Sequence, residues 1–139
     1  MIVKLPVIKS KFNEEAFKEG QDPVVQVREY MDVEIDTSFR AHHKFDVHFA
    51  EDIKDANGNV IGRSNLVSYV ERATQWMKSP ISSKANYLSL LKLLYCFVNT
   101  DKLPTFNDFL GLLQPDTVDE IMQKIRIVLT HAQSTASKN

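Results

Sequence analysis

Hydrophobic positions recur with helical spacing through most of the chain after residue 63. A first helix is predicted to begin at the capping residue Ser64 and to end before Pro80. Its apolar side chains share one stripe: Leu66, Val70, Ala73 and Met77. A second helix, from Ser83 to Val98, is apolar around most of its circumference, with one narrow polar line. Because such a helix must be buried on several sides, we expect it to be the central one.

Two capping-box patterns predict two further helices. Thr105 and Asp108 open a short helix that ends before Pro115. Thr117 and Glu120 open the last helix. One stripe of this helix is apolar: Val118, Ile121, Met122, Ile125, Val128, Leu129 and Ala132. Residues 64–133 are therefore predicted to form a four-helix half.

The first 63 residues are predicted to hold mixed short elements. Residues 2–8 are β-prone, and the proline among them confines that stretch to an edge strand or an extended arm. Asn13 can cap a short helix that Gly20 ends. Asp22 and Pro23 repeat the start signal. They predict a second helix with one apolar face, made of Val24, Val27 and Met31.

A change of period at residue 39 predicts a β-hairpin. From Phe39 to Phe49 polar and apolar residues alternate, as in a strand with one wet face. Asn57-Gly58 then supplies a tight turn, and Val60 and Ile61 begin a return strand. The fold class expected is mainly α (α+β), in a single domain 1–139. Its parts are a mixed region 1–63 with an arm and a hairpin, a helical core 64–133 and a flexible tail 134–139.

The net charge and the length of the most apolar segment limit the possible partners of the protein. Seventeen Lys and Arg against eighteen Asp and Glu leave a net charge of -1. We therefore expect neither nucleic acid nor a membrane as partner. The most apolar segment, Tyr87 to Val98, is shorter than the roughly 20 residues of a membrane span. The first residues lack the apolar length and cleavage site of a secretory signal, so a cytoplasmic protein is expected.

The titratable residues do not form a recognisable reactive site. On a strand, His42 and His48 would lie on one face about 20 Å apart, with His43 on the other. The loop around Gly58 lacks two key calcium ligands, and the single cysteine, Cys96, lies in an apolar segment. We expect no catalytic residue, no metal and no cofactor. An enzyme that uses His42, His48 and Asp46 remains an alternative.

Candidate partner contacts come from the helices. Ile127 falls about half a turn from the stripe of the last helix, so it should be exposed in a monomer. Trp76 beside Met77 can serve as a partner anchor, although a core role is also open. These three residues are the predicted partner-binding positions.

The stretch YLSLLKLLYCFVNTDKLPTFNDFLGLL, from Tyr87 to Leu113, resembles the tail assembly chaperones of long-tailed bacteriophages. Its parts follow the pattern of that family: an apolar and aromatic helix (Leu90 to Val98), a short polar loop (Asp101 to Pro104), a threonine-started helix (Thr105 to Leu113) and a closing helix from Thr117. The resemblance implies a non-enzymatic chaperone, and the predicted exposure of Ile127 together with the helix-rich second half predicts self-association. Such a protein binds the long helical tape-measure protein and keeps it soluble during tail assembly.

The same resemblance implies a place of action, namely the host cell cytoplasm, with the protein absent from the mature virion. A second class of function remains an alternative to the chaperone. A small phage or bacterial regulatory protein that binds one host protein would have the same composition and the same helical patterns.

Overall fold

The computed structural model describes residues 1–99 and 105–137. The predicted polar loop from Asp101 to Pro104 lies outside them. The described residues form a mixed α+β fold of seven helices and two small antiparallel sheets of two strands each. The elements in chain order are β1 (Ile2–Phe12), α1 (Glu14–Lys18), β2 (Val24–Glu34), α2 (Phe39–His48), β3 (Asp52–Lys54), β4 (Val60–Arg63), α3 (Leu66–Trp76), α4 (Pro80–Ala85), α5 (Tyr87–Phe97), α6 (Phe106–Leu112) and α7 (Val118–Ser137).

The β-prone start of the chain forms a long two-stranded ribbon. β1 pairs with β2 antiparallel over its full length, from Ile2 opposite Glu34 to Phe12 opposite Val24. The predicted short helix is confirmed as α1 at the turn of the ribbon, where the Asn13 side chain accepts from the Ala16 N–H. At the other end of the ribbon, alternate side chains are buried: Val3, Leu5, Val7 and Val33.

The helix predicted after Pro23 is wrong, because this segment is strand β2. Residues 24, 27 and 31 fit a helical face, but the segment is also rich in β-branched valine, which favours a strand. The long partner β1 lies within reach and decides between the two conformations.

The strand predicted from Phe39 to Phe49 is also wrong, because Phe39–His48 is helix α2. Ala41 and Phe45 are buried one helical turn apart, and the next turn brings the half-buried Phe49. Positions 41, 45 and 49 are four residues apart, which is one helical turn and also twice the two-residue period of a strand. This helical stripe therefore gives the same alternation of polar and apolar residues as a strand.

The hairpin turn and the return strand are confirmed where they were predicted, but the first strand of the hairpin is β3, which lies later in the chain than the predicted one. Asp55 fixes its turn, since its carboxylate accepts from the N–H groups of Asn57 and Asn59, both at 2.9 Å. Gly58 has the positive φ of 82° that the predicted Asn-Gly turn requires.

The described residues after position 63 form five helices, where four were predicted. The segment Ser83 to Val98 is divided at Asn86 between α4 and α5, and Pro80 is the first residue of α4. A proline is tolerated there because the first helical N–H needs no partner. The cap of α3 is Asn65, one residue after the predicted Ser64.

The last helix also differs from its predicted end. α7 continues to Ser137, four residues into the segment 134–139 that was expected to be a flexible tail. Lys138 and Asn139 lie outside the described residues.

α5 is the centre of the core, as its all-round apolar pattern predicts. It contacts α2, α3, α4, α6 and α7. Its buried side chains are Leu90, Leu91, Leu93, Leu94, Tyr95, Cys96 and Phe97. Two isolated bridges attach the ribbon to the helices, Val7 with Leu113 and Ile35 with Val98. The ribbon and the helices therefore share one hydrophobic cluster.

Candidate interaction surface

A groove of about 1010 Å³ opens where the end of β2 meets the helices. Its walls come from the first turns of α2 and α3, the end of α5 and the later part of α7. Ile35, Leu66 and Phe97 line it and are buried, whereas Phe39 and Val67 at its sides are 88% and 58% exposed. The groove thus combines an apolar floor with apolar side chains that protrude into solvent, the arrangement of a docking site for another apolar group.

Backbone hydrogen bonds between distant parts of the chain hold the floor together. The Asp36 N–H donates to the Phe97 carbonyl at 2.7 Å, and the Asn99 N–H donates to the Glu34 carbonyl at 2.8 Å. These two bonds lie on either side of the bridge between Ile35 and Val98, so they fix the end of β2 against the end of α5.

Two helix caps position the walls. Ser38 accepts from the Arg40 N–H at the start of α2, and Asn65 accepts from the Ser68 N–H at the start of α3. The residues that follow these caps, Phe39 and Leu66, are the first of their helices. Each cap satisfies an orphan N–H of a first turn and so fixes the helix start at the groove.

Asp36 is the best-held charged group of the groove. Partial burial raises the pKa of its carboxyl, but hydrogen bonds from Ser38 and the nearby Arg40 guanidinium act in the opposite direction and together lower the pKa below its ordinary value. The Arg40 Nε lies 2.6 Å from a carboxylate oxygen, and the Ser38 N–H donates to the other oxygen at 2.9 Å. Asp36 is therefore charged at neutral pH and ties the end of the ribbon to α2.

The other charges along the groove are mostly acidic. Glu34 and Glu71 line it together with the ion pair of Asp36 and Arg40. His42 also lines it, with its ring 5.9 Å from that of Phe39. Three carboxylates against one guanidinium give the groove an excess of negative charge.

The three predicted contact residues have different surroundings. Ile127 is 47% exposed, as its position off the stripe of α7 predicts. Trp76 and Met77 are half-buried against the core, and the Trp76 ring stands edge-on to Tyr69 at 5.7 Å. Arg126, next to Ile127, donates to the Met77 carbonyl at 3.4 Å, so the end of α3 and the middle of α7 are neighbours. A partner-binding role for the three residues stays a prediction.

The groove was missed because its parts are far apart in the sequence. A local signal for one wall did exist. Asp36, Ser38 and the exposed Phe39 form a helix start, but the alternation that follows concealed it.

The histidines lie on helix α2 and not on a strand. At 100° per residue, Asp46 lies about 40° around the helix from His42, whereas His48 lies about 240° from it. Asp46 instead pairs with Arg63 at 3.2 Å, and the His48 ring packs edge-on to Tyr95 at 5.5 Å. The three side chains of the enzyme alternative are therefore not brought together. Among the described residues, no group of three or more His, Cys, Asp or Glu is placed to hold a metal ion.

Cys96 is a buried core residue, as its apolar segment predicts. It is 2% exposed, and burial raises the pKa of its thiol to about 12, although the ammonium of Lys44 acts in the opposite direction. A thiol that is both protonated and inaccessible is a poor nucleophile.

Comparison with known proteins assigns no family to this chain. No helix in the described part is both long enough and apolar enough to cross a membrane. No family model, no curated protein and no solved structure matches the chain.

Proposed function

We propose that this protein is a non-enzymatic tail assembly chaperone. Its partner is the long helical tape-measure protein of a bacteriophage, which it keeps soluble in the host cytoplasm until the tail is built, without entering the mature virion. The observation that carries the proposal is the groove with the exposed Phe39 on its side. An apolar helix face in such a groove is a recurrent mode of protein recognition.

The size of the groove suits a short length of helix. A helix with its side chains is about 10–12 Å wide and rises 1.5 Å per residue. About 1010 Å³ therefore holds roughly two turns. A chaperone for a very long helical chain needs only a short contact of this kind, since many copies can bind along the chain and their contacts add.

The charges of the groove specify the partner helix further. Because carboxylates exceed cations along the groove, the matching helix carries an apolar stripe flanked by Lys or Arg. Ile127, with Trp76 and Met77 nearby, provides a second contact area on α7 and the end of α3. This second area is suited to self-association or to the next part of the same partner.

The test is co-expression with helical fragments of the longest protein encoded beside this gene. We expect the fragments to be recovered in the soluble fraction in complex with the protein. Fragments that stay insoluble, while the protein binds a host protein instead, would favour the regulatory alternative and overturn the proposal.

A matched pair of variants ties the binding to the groove. Phe39→Ala removes a side chain that is 88% exposed at the groove, whereas Ile81→Ala removes one that is 84% exposed on α4 and does not line it. We expect the first to lose the complex and the second to keep it. A pair of synthetic helices with a leucine stripe, flanked by lysine in one and by glutamate in the other, tests the charge argument. Equal affinity for the two would contradict it.

A further inference from the structure

The turn of the β3–β4 hairpin holds the single Asn-Gly pair of the sequence, Asn57-Gly58. Asn57, Gly58 and the following Asn59 are all exposed. Within the described part of the chain, no atom beyond the two neighbouring residues lies within 4 Å of the position that a Cβ on Gly58 would take. The turn is therefore open to water.

The hairpin has little burial to hold it closed. Every residue of β3 and β4 is exposed, and the register of the two strands shifts between Ile53 and Lys54. A two-stranded hairpin is marginally stable in water by itself, and a segment with few buried contacts opens locally at a low free energy. The hairpin should therefore open far more often than the whole protein unfolds.

Hydrogen bonds keep the turn ordered while the hairpin is closed. The Gly58 N–H donates to the Asp55 carbonyl at 3.1 Å. The Asp55 carboxylate accepts from the N–H groups of Asn57 and Asn59, both at 2.9 Å. Opening of the hairpin breaks these bonds, so the Gly58 nitrogen is released and the Asn57 side chain can turn toward it.

The glycine after Asn57 removes the steric obstacle to a reaction between the two residues. Asparagine is a chemically labile residue. Because Gly58 has no side chain, its nitrogen can approach the Asn57 side-chain carbonyl carbon with little hindrance. The two groups belong to adjacent residues, so the reaction is intramolecular and is favoured by proximity. Asn59 is followed by Val60, whose branched side chain hinders the same approach.

We propose that Asn57 is a site of spontaneous deamidation, in which the Gly58 backbone nitrogen attacks the Asn57 side chain in the locally opened hairpin. The proposal goes beyond the proposed function and does not depend on it.

The reaction needs no reactant besides water. The Gly58 nitrogen loses its proton to solvent and forms a bond to Cγ of Asn57. The bond between Cγ and the side-chain nitrogen of Asn57 breaks, and ammonia leaves with a proton from solvent. Water then opens the five-membered imide at either of its two carbonyl carbons, which gives aspartate or isoaspartate at position 57.

Both products should weaken the turn. Each adds a carboxylate beside that of Asp55, and like charges repel. Isoaspartate also adds a methylene to the backbone before Gly58, which displaces the Asn59 N–H from the Asp55 carboxylate. Amide exchange at Asn59 should therefore be faster in the deamidated protein than in the fresh protein.

Mass spectrometry of the full-length protein, incubated at neutral pH and then digested, tests the site. Trypsin cleaves after Lys54 and Arg63, and the peptide between them, DANGNVIGR, contains both asparagines of the turn. We expect the mass gain of an amide-to-acid change at Asn57 to grow with incubation time, with isoaspartate as the main product. Asn59, the internal control, should stay unchanged. No growth with time, or equal conversion at both positions, would overturn the proposal.

Two variants distinguish local opening from global unfolding as the route. Asp55→Ala removes two hydrogen bonds from the closed turn, so it should raise the deamidation rate by roughly tenfold. Ile125→Val removes one buried methyl group of α7 and lowers only the global stability, so it should leave the rate unchanged. A rate that rises with Ile125→Val and not with Asp55→Ala would refute reaction from the locally opened hairpin.

Discussion

Helix α5 and the far end of the β-ribbon are both rich in apolar residues, but they have opposite surroundings. α5 buries seven of its eleven residues among other helices. At the far end of the ribbon, Phe12 and Val24 are 61% and 55% exposed, and Phe17 of α1 is 64% exposed. A buried apolar side chain stabilises the fold, whereas an exposed one contributes little to its stability. The comparison therefore divides the molecule into a part that supplies stability and a part that adds little to it.

The largest effect should come from the centre of α5. Leu90 is fully buried, so Leu90→Ala should lower the free energy of unfolding by about 2–5 kcal/mol in urea denaturation. Leu88→Ala on the same helix, where the side chain is 54% exposed, and Val24→Ala on the ribbon should each change it by less than about 1 kcal/mol. If Leu90→Ala and Val24→Ala lowered the free energy of unfolding by similar amounts, the distinction between α5 and the far end of the ribbon would be wrong.

The next largest loss of stability should come from the contact between the ribbon and the helical region. Gln114 is 4% exposed, and its Nε2 donates to the Val7 carbonyl at 2.9 Å. Gln114→Ala removes a buried hydrogen bond between the ribbon and the segment after α6, so the free energy of unfolding should fall by about 1–3 kcal/mol. Amide exchange should rise in β1 more than in α5. The control, Gln133→Ala, removes an exposed bond to Thr74 and should have little effect. Equal exchange in both elements would mean that the ribbon is not attached through this residue.

The start of α3 tests one wall of the groove. Asn65→Ala removes the cap that accepts from the Ser68 N–H at 2.9 Å, and the expected loss of stability is about 1 kcal/mol. Ser64→Ala instead removes a bond to the Glu51 N–H, so it should loosen the hairpin that precedes α3. Amide exchange at Ser68 distinguishes the two. Faster exchange in the Ser64 variant alone would restore Ser64 as the cap.

The helices were predictable from the sequence where the local pattern was compatible with only one type of element. An all-round apolar segment has to be buried, and α5 is buried. The caps of α1 and α6 were also correct, because Asn13 and Thr105 bond to N–H groups three residues away. The element types of α2 and β2 were predicted wrongly, because each sequence pattern fits both the helical and the strand period. The choice between helix and strand depends on contacts with residues that are distant in the sequence.

The candidate site was predictable only in part, for the same reason. The exposure of Ile127 follows from one helix and was predicted correctly. The groove depends on bonds such as that between Asp36 and Phe97, which are 61 positions apart and in elements of different type. No local pattern encodes such a pairing.

The smallest effect concerns Asp36, where the ribbon passes into the helical region. Its ordinary pKa of 3.8 is lowered in the folded protein, so as pH falls the unfolded chain takes up the proton first. The contribution of Asp36 to stability is therefore present above pH 3.8 and is lost as pH falls through the lower, folded-state pKa. Asp36→Asn should be less stable than the wild type at neutral pH, and this difference should shrink in acid.

Urea denaturation over a series of pH values measures this difference directly. Gln133→Ala is the control, because it removes an exposed side chain and no ionisable group. Its pH curve should run parallel to that of the wild type. If the Asp36→Asn curve did so as well, the ion pair with Arg40 would not hold the end of the ribbon to α2. The ribbon would then be fixed to the helices by the backbone bonds at Asp36 and Asn99 and by the Gln114 bond, and the charge of Asp36 would remain available to a partner helix in the groove.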